Sequence, residues 1–177
     1  MEISPKFSKS IYKQEYTKKS VIDGVSVIDL IDIVSEEGSL VELLRLDGKG
    51  VSQVIPGFRL LQINYSKLSP GGVKAWHVHY KQDDLWYVTN STPLVIGLVD
   101  LRMESPTLNA TMRLVLGGCH SKLLYIPRGI AHGVANLSSK TGEIIYLLNQ
   151  HFSVEDTDEN RLPWDFFGKY FWEVQKG

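Results

Sequence analysis

His77 and His79 stand one residue apart in a stretch, Val73–Tyr80, that reads as a β-strand. Side chains alternate along a strand, so these two imidazoles share a face, roughly 6.6 Å apart. That arrangement suits two ligands of one metal ion, or two roles around one substrate. Asp83 and Asp84 follow closely, and a third histidine, His132, lies in the run Pro127 to Asn136. His77, His79, Asp83, Asp84 and His132 form a sufficient nitrogen and oxygen set for one divalent transition metal. An imidazole near neutral pKa equally suits a general base. His120 and His151 lack such neighbours and read as surface or structural residues. Cys119, the single cysteine, reads as an inert thiol.

These groups need a scaffold, and the sequence offers short strands. Candidates are 40–46, 58–66, 73–80, 84–88, 94–102, 111–116, 122–126, 132–137 and 143–149. Turn-forming runs separate several of them, such as Ser69-Pro70-Gly71-Gly72 and Pro127-Arg128-Gly129. This spacing predicts an all-β sandwich or barrel. Helical periodicity is visible only weakly, around Val27–Val34. In 58–66, Leu60, Gln62, Asn64 and Ser66 share one face and Leu61, Ile63 and Tyr65 the other. Alternation puts Val73, Ala75, His77 and His79 together, opposite Lys74, Trp76, Val78 and Tyr80. If the apolar faces pack on a second layer, the polar faces line a barrel interior, where small barrels hold ligands.

The chain has 177 residues, 43% hydrophobic and 22% charged, with a net charge of -1. One packed domain is expected, with no basic field for nucleic acid or membrane. No apolar run approaches a bilayer span, and the N-terminus lacks the apolar stretch of a signal peptide. With one cysteine there is no internal disulfide, consistent with a cytoplasmic setting. A polar, Lys-rich arm fills 1–24, including Lys18 and Lys19. The barrel domain then runs over 25–177 and ends in an aromatic segment, Trp164 to Trp172, that caps the barrel or meets a neighbouring subunit.

Gly71, His77, His79 and then Asp83 or Asp84 resemble the first motif of the cupin superfamily, with aspartate where glutamate is usual. Pro127, Gly129, His132 and Asn136 match the fixed positions of its second motif. The implied fold is a cupin, a jelly-roll β-barrel with short helical terminal segments. From about Glu36 to Trp172 the chain more closely resembles the dTDP-4-dehydrorhamnose 3,5-epimerase family of dTDP-sugar isomerases. Six motifs occur in the family's order: Gln62-Ile-Asn64-Tyr-Ser66; Gly72 through His77; Val99-Asp100-Leu101-Arg102 with Ser105-Pro106-Thr107; Leu124 through Gly133; Glu143-Ile-Ile-Tyr146; and Phe152 through Asp156 with Trp164-Asp165.

The resemblance implies an isomerase acting on a dTDP-4-keto-6-deoxyhexose by proton abstraction next to the ketone. His77 would be the base and Tyr146 the acid. Gln62, Asn64, Lys74, His132 and Trp164 would bind substrate. It further implies no cofactor, a homodimer, and a place in nucleotide-sugar metabolism for polysaccharide. The chain also departs from the pattern. Glu37 stands where the family carries a phosphate-binding arginine, Lys74 replaces a second arginine, and Asp84 replaces an active-site lysine. The family's aspartate that orients the base lies beyond the Trp-Asp pair, where this chain ends, and His79 is an addition. Asp83 or Asp84 would then orient a histidine or complete a metal site. Two further readings stay open: a metal-dependent cupin enzyme, dioxygenase or isomerase, and a sugar-nucleotide-binding homologue without turnover.

Overall fold

The computed structural model describes residues 1–13 and 20–175. Lys18 and Lys19 lie outside the described residues. A four-residue helix, α1 (Pro5–Ser8), opens the chain, and a single 3-10 turn (Lys169–Trp172) comes near its end. Between them run twelve strands: β1 (Ser26–Asp29), β2 (Asp32–Ser35), β3 (Gly38–Val41), β4 (Gln62–Leu68), β5 (Val73–Val78), β6 (Asp84–Val88), β7 (Leu94–Asp100), β8 (Thr111–Leu116), β9 (Lys122–Ile126), β10 (Ile130–Ala135), β11 (Gly142–Leu148) and β12 (Asn160–Arg161).

The strands form two five-stranded antiparallel sheets, ordered β1-β9-β6-β11-β4 and β12-β5-β10-β7-β8, plus the hairpin β2-β3. This is the jelly-roll arrangement expected. Central strands are covered on both faces, so they read as unbroken apolar runs rather than alternating ones. In β7 every residue is buried. Between the sheets Trp86, Val88, Ile96, Leu98, Leu124, Ile130, Val134 and Ile144 form the main core. Outside the second sheet, Trp76, Val95, Val99 and Ala135 pack under the C-terminal aromatic segment. Trp76 meets Phe167, Phe171 and Trp172 at centroid distances of 5.1, 4.9 and 4.7 Å. Gly97 lies beneath this cluster, where a Cβ would come within 2.4 Å of Phe171. The aromatic segment therefore caps its own barrel.

Two local expectations give way to pairing. The stretch 27–34 is not helical: β1 pairs with β9 and the chain then bends into β2. The strand expected over 40–46 ends at Val41, beyond its hairpin partner Asp32. Nor does the arm stay in solvent to residue 24. Ile22 is fully buried in the main core, and Asp23 N–H donates to Thr107 Oγ1.

Several residues of the recognition motifs hold architecture together. Asp100 is wholly buried and accepts bonds from Arg102, Ser105 and Thr107. Those bonds hold its carboxyl far below the ordinary carboxylate range, against the opposing pull of burial. Asn136, also fully buried, donates to the carbonyls of Leu68 (2.8 Å) and Lys140 (2.7 Å), tying β10 to the edge of the other sheet.

Candidate active site

Alternation builds a pocket at one end of the barrel. In β6, Asp84, Trp86 and Val88 point between the sheets while Leu85 and Tyr87 point out. In β11, Ile144, Tyr146 and Leu148 point in; in β10, Ile130, His132 and Val134 do so. The inward positions nearest the open end enclose about 370 Å3, a volume in the range of small-molecule sites. Asn64, Lys74, His77, His79, Asp84, His132, Tyr146, Glu159 and Arg161 are among its lining residues. The outward residues of β4, Ile63 and Tyr65, are exposed instead of packing on a second layer.

Lys74 shares the pocket with His77, three residues away, which simple alternation forbids. The reason is a bulge. His132 pairs with His77 and Val134 with Lys74, so Ala75 and Trp76 together oppose Gly133. Ala75 and Trp76 both turn into the outer aromatic cluster. Gly133 is required there: a Cβ would lie 2.5 Å from the Ala75 Cβ and 2.9 Å from the Lys74 carbonyl oxygen.

One short segment, Asp158 to Arg161, positions His77 of β5 and His79 just beyond the strand. The Asp158 carboxylate accepts the backbone N–H groups of Tyr80, Lys81 and Gln82 (2.9, 2.7 and 3.0 Å), and its carbonyl accepts His79 Nδ1–H at 2.6 Å. His77 Nδ1–H donates to Glu159 Oε1. Arg161, opposite His77 in the β12–β5 pair, brings Nη2 to 3.3 Å from His77 Nε2. The bond from His77 pulls the Glu159 carboxyl down to about 2 against the cost of partial burial. With Nδ1–H held by a carboxylate, the neutral ring presents its Nε2 lone pair to the pocket.

Opposite stands Tyr146 on the other sheet, near the Ser66 hydroxyl and edge-on to Trp86 at 5.1 Å. Burial pushes its phenol up to about 12, so it stays protonated. Lys74 Nζ donates to the same Ser66 hydroxyl at 2.7 Å. The floor is His132, its Nδ1–H on the Ile130 carbonyl at 2.9 Å. Burial, reinforced by the neighbouring His79 and His77, pushes it down to about 3, so the ring is neutral. Asp84 is buried beside it, accepting Trp86 Nε1–H (2.9 Å) and a Gln82 Nε2 proton (2.7 Å). Burial raises its carboxyl.

Not every expected residue reaches the pocket. Asp83 turns away and is clamped by Arg128 and Asn149 Nδ2, so it neither orients a histidine nor joins a metal cluster. The five-residue metal set thus contracts to His79, Asp84 and His132, the group whose ligand atoms lie within 4.8 Å of one another. Gln62 sits at the rim, bonded to Asn64 and accepting Phe152 N–H. Trp164 supplies a carbonyl to the indole N–H groups of Trp76 and Trp172, while its own side chain is half-exposed and off the pocket lining. Glu37 sits at the turn of the β2-β3 hairpin, also away from the lining residues. Glu159 and Arg161 escaped the sequence reading. The available signal was an Asp-Glu-Asn-Arg run lying between the two halves of the sixth motif.

The dTDP-4-dehydrorhamnose 3,5-epimerase family model matches residues 19–165. This chain belongs to that family. A curated relative, the spore coat polysaccharide biosynthesis protein SpsL of Bacillus subtilis (strain 168), is 37% identical over 145 residues, covering 82% of this chain and 91% of SpsL. Among solved structures, a dTDP sugar isomerase from Desulfovibrio desulfuricans G20 superposes with a TM-score of 0.71 at 25% identity, covering 85% of this chain and 90% of that one. The Legionella pneumophila dTDP-6-deoxy-D-glucose-3,5-epimerase, solved with dTDP-4-keto-L-rhamnose, gives 0.64 at 25% identity, covering 76% and 71%. No helix of the described residues is long and apolar enough to cross a membrane.

Proposed function

We propose that the protein is a nucleotide-sugar epimerase acting on a dTDP-4-keto-6-deoxyhexose, with His77 as base and Tyr146 as acid. The observation that carries this reading is their placement: a histidine whose Nε2, with Arg161 Nη2 beside it, turns toward the pocket, and a protonated phenol that faces the same pocket from the opposite sheet. His77 Nε2 takes the proton from a carbon next to the ketone. The C–H electron pair moves into the carbon–carbon bond and the carbonyl becomes an enolate oxygen. Arg161 and Lys74 are the pocket cations that stabilise that oxygen, in place of the lysine that Asp84 replaces. Tyr146 then gives its proton to the opposite face. The phenolate regains a proton and the imidazolium loses one through solvent. Glu159 takes the orienting role, holding His77 in the productive tautomer and stabilising its cation. Asn64, Lys74 and His132 contact the sugar, and Gln62 lies at the mouth.

These proton transfers draw on no cofactor. The protein would work in the cytoplasm, as a homodimer using exposed apolar surface such as Ile33, Val34 and Leu40 on the β2-β3 hairpin. The deciding experiment is incubation with dTDP-4-keto-6-deoxyglucose in D2O. Deuterium at C3, C5 or both is the expected result; none at either carbon would sink the substrate assignment.

A further inference from the structure

Three acceptor atoms converge on the pocket floor with too few protons among them. His79 and His132 each commit Nδ1–H to a backbone carbonyl, so each turns an Nε2 lone pair inward. Both face Asp84, whose Oδ2 is 4.0 Å from His79 Nε2 and 3.7 Å from His132 Nε2. All three side chains are at most 5% exposed. Among the described residues, two donors enter this gap. Trp86 Nε1 reaches Asp84, and Gln82 Nε2 reaches Asp84 and lies 3.3 Å from His79 Nε2. Neither donor bonds His132 Nε2. Lone pairs facing one another at this range, on largely buried side chains at the floor of a pocket, are favoured by positive charge between them.

We propose that His79, Asp84 and His132 bind one divalent first-row transition-metal ion. Two imidazole nitrogens and one carboxylate oxygen suit such an ion and leave coordination positions open. The carbonyls that hold both Nδ1–H groups are the outer partners that fix metal-binding histidines. Bond lengths of about 2.0–2.2 Å place neighbouring ligand atoms about 3.3 Å apart. Small side-chain rotations bring the three together, and the Gln82 amide turns aside. His77 is excluded because Glu159 holds Nδ1 and the Arg161 cation lies beside Nε2. The open positions face the pocket, so the ion would hold oxygen atoms of a ligand seated against His77. This site goes beyond the epimerase reading, whose proton transfers do not use it.

The test is metal binding by the intact, chelator-treated protein, read by calorimetry with Zn2+ and by visible absorption with Co2+. One ion per chain is expected. His79→Ala and the nearly isosteric Asp84→Asn should each weaken binding by at least about tenfold, while His77→Ala keeps both affinity and spectrum. Circular dichroism and thermal melting establish that each variant is folded. Absence of binding by wild type, or unchanged binding in folded Asp84→Asn, overturns the proposal. An equal loss in His77→Ala overturns the ligand set. Deuterium exchange is measured separately, so failure of the epimerase reading leaves this result interpretable.

Discussion

Glu159 accepts the Nδ1–H of His77 from the position just before β12, a two-residue strand that reaches β5 only at its pocket end. In the proposed mechanism, the acid that orients the base thus comes from before the Trp164-Asp165 pair. Asp83 and Asp84, the nearer carboxylates in sequence, do other work. Orientation of a catalytic imidazole needs only a carboxylate at Nδ1, so a different stretch of chain can supply it.

Glu159→Gln keeps the shape of this contact but lets Nδ1 accept, favouring the tautomer with a proton on Nε2. The lone pair then faces away from substrate. Turnover should fall by about 10²- to 10⁴-fold, with KM little changed and melting temperature close to wild type. Steady-state kinetics on the dTDP-keto sugar would check this. A rise in KM at constant kcat would mean that Glu159 binds substrate instead.

Tyr146→Phe separates the two proton transfers. His77 can still remove a proton and return solvent deuterium to the same face. Epimer formation should drop by about 10²- to 10⁴-fold while exchange without inversion persists, as NMR in D2O would reveal. His77→Asn should abolish both. If exchange and inversion fall together in Tyr146→Phe, the phenol is not a one-sided acid.

The strands that were legible in the sequence are those whose pattern follows their burial. β4 through β11 lie where turns and apolar runs put them, and His77, His132 and Tyr146 line one pocket. The misses have physical causes. Residues 27–34 show weak helical spacing, but edge pairing with β9 decides their state. Lys74 was given the wrong face because a bulge, invisible to alternation, adds a residue on β5. Glu159 and Arg161 lie in a charged run, at and just before the two-residue β12, where nothing local distinguishes a solvated run from one folded over a pocket.

Gly133→Ala tests the bulge. The new methyl would meet Ala75 Cβ and Lys74 O well inside contact distance, and backbone cannot swing away as a side-chain end can. A loss of about 1–3 kcal/mol is expected from overpacking, seen as a lower denaturant midpoint. Because the bulge sets both Lys74 and His77, activity should fall even where the variant is fully folded. An unchanged midpoint with full activity would show that β5 and β10 tolerate wider spacing.

Acid stability should depend on Asp100. Its folded carboxyl titrates well below the ordinary value because Arg102, Ser105 and Thr107 all donate to it. A depressed pKa contributes stability that is complete above the unfolded value, about 3.9, and drains away as pH falls toward the folded one. The melting temperature should therefore respond little to this group at neutral pH and decline below about pH 4. Asp100→Asn leaves Arg102 without its charge partner and weakens the knot that anchors Asp23 through Thr107 and Arg102. Breaking a buried pair in this way costs about 3 kcal/mol, or roughly 6–12 °C in a chain of this size. The variant should be less stable at pH 7 and have a shallower acid slope. A pH series of thermal melts on both proteins checks it, and parallel slopes would mean that other carboxylates carry the acid sensitivity.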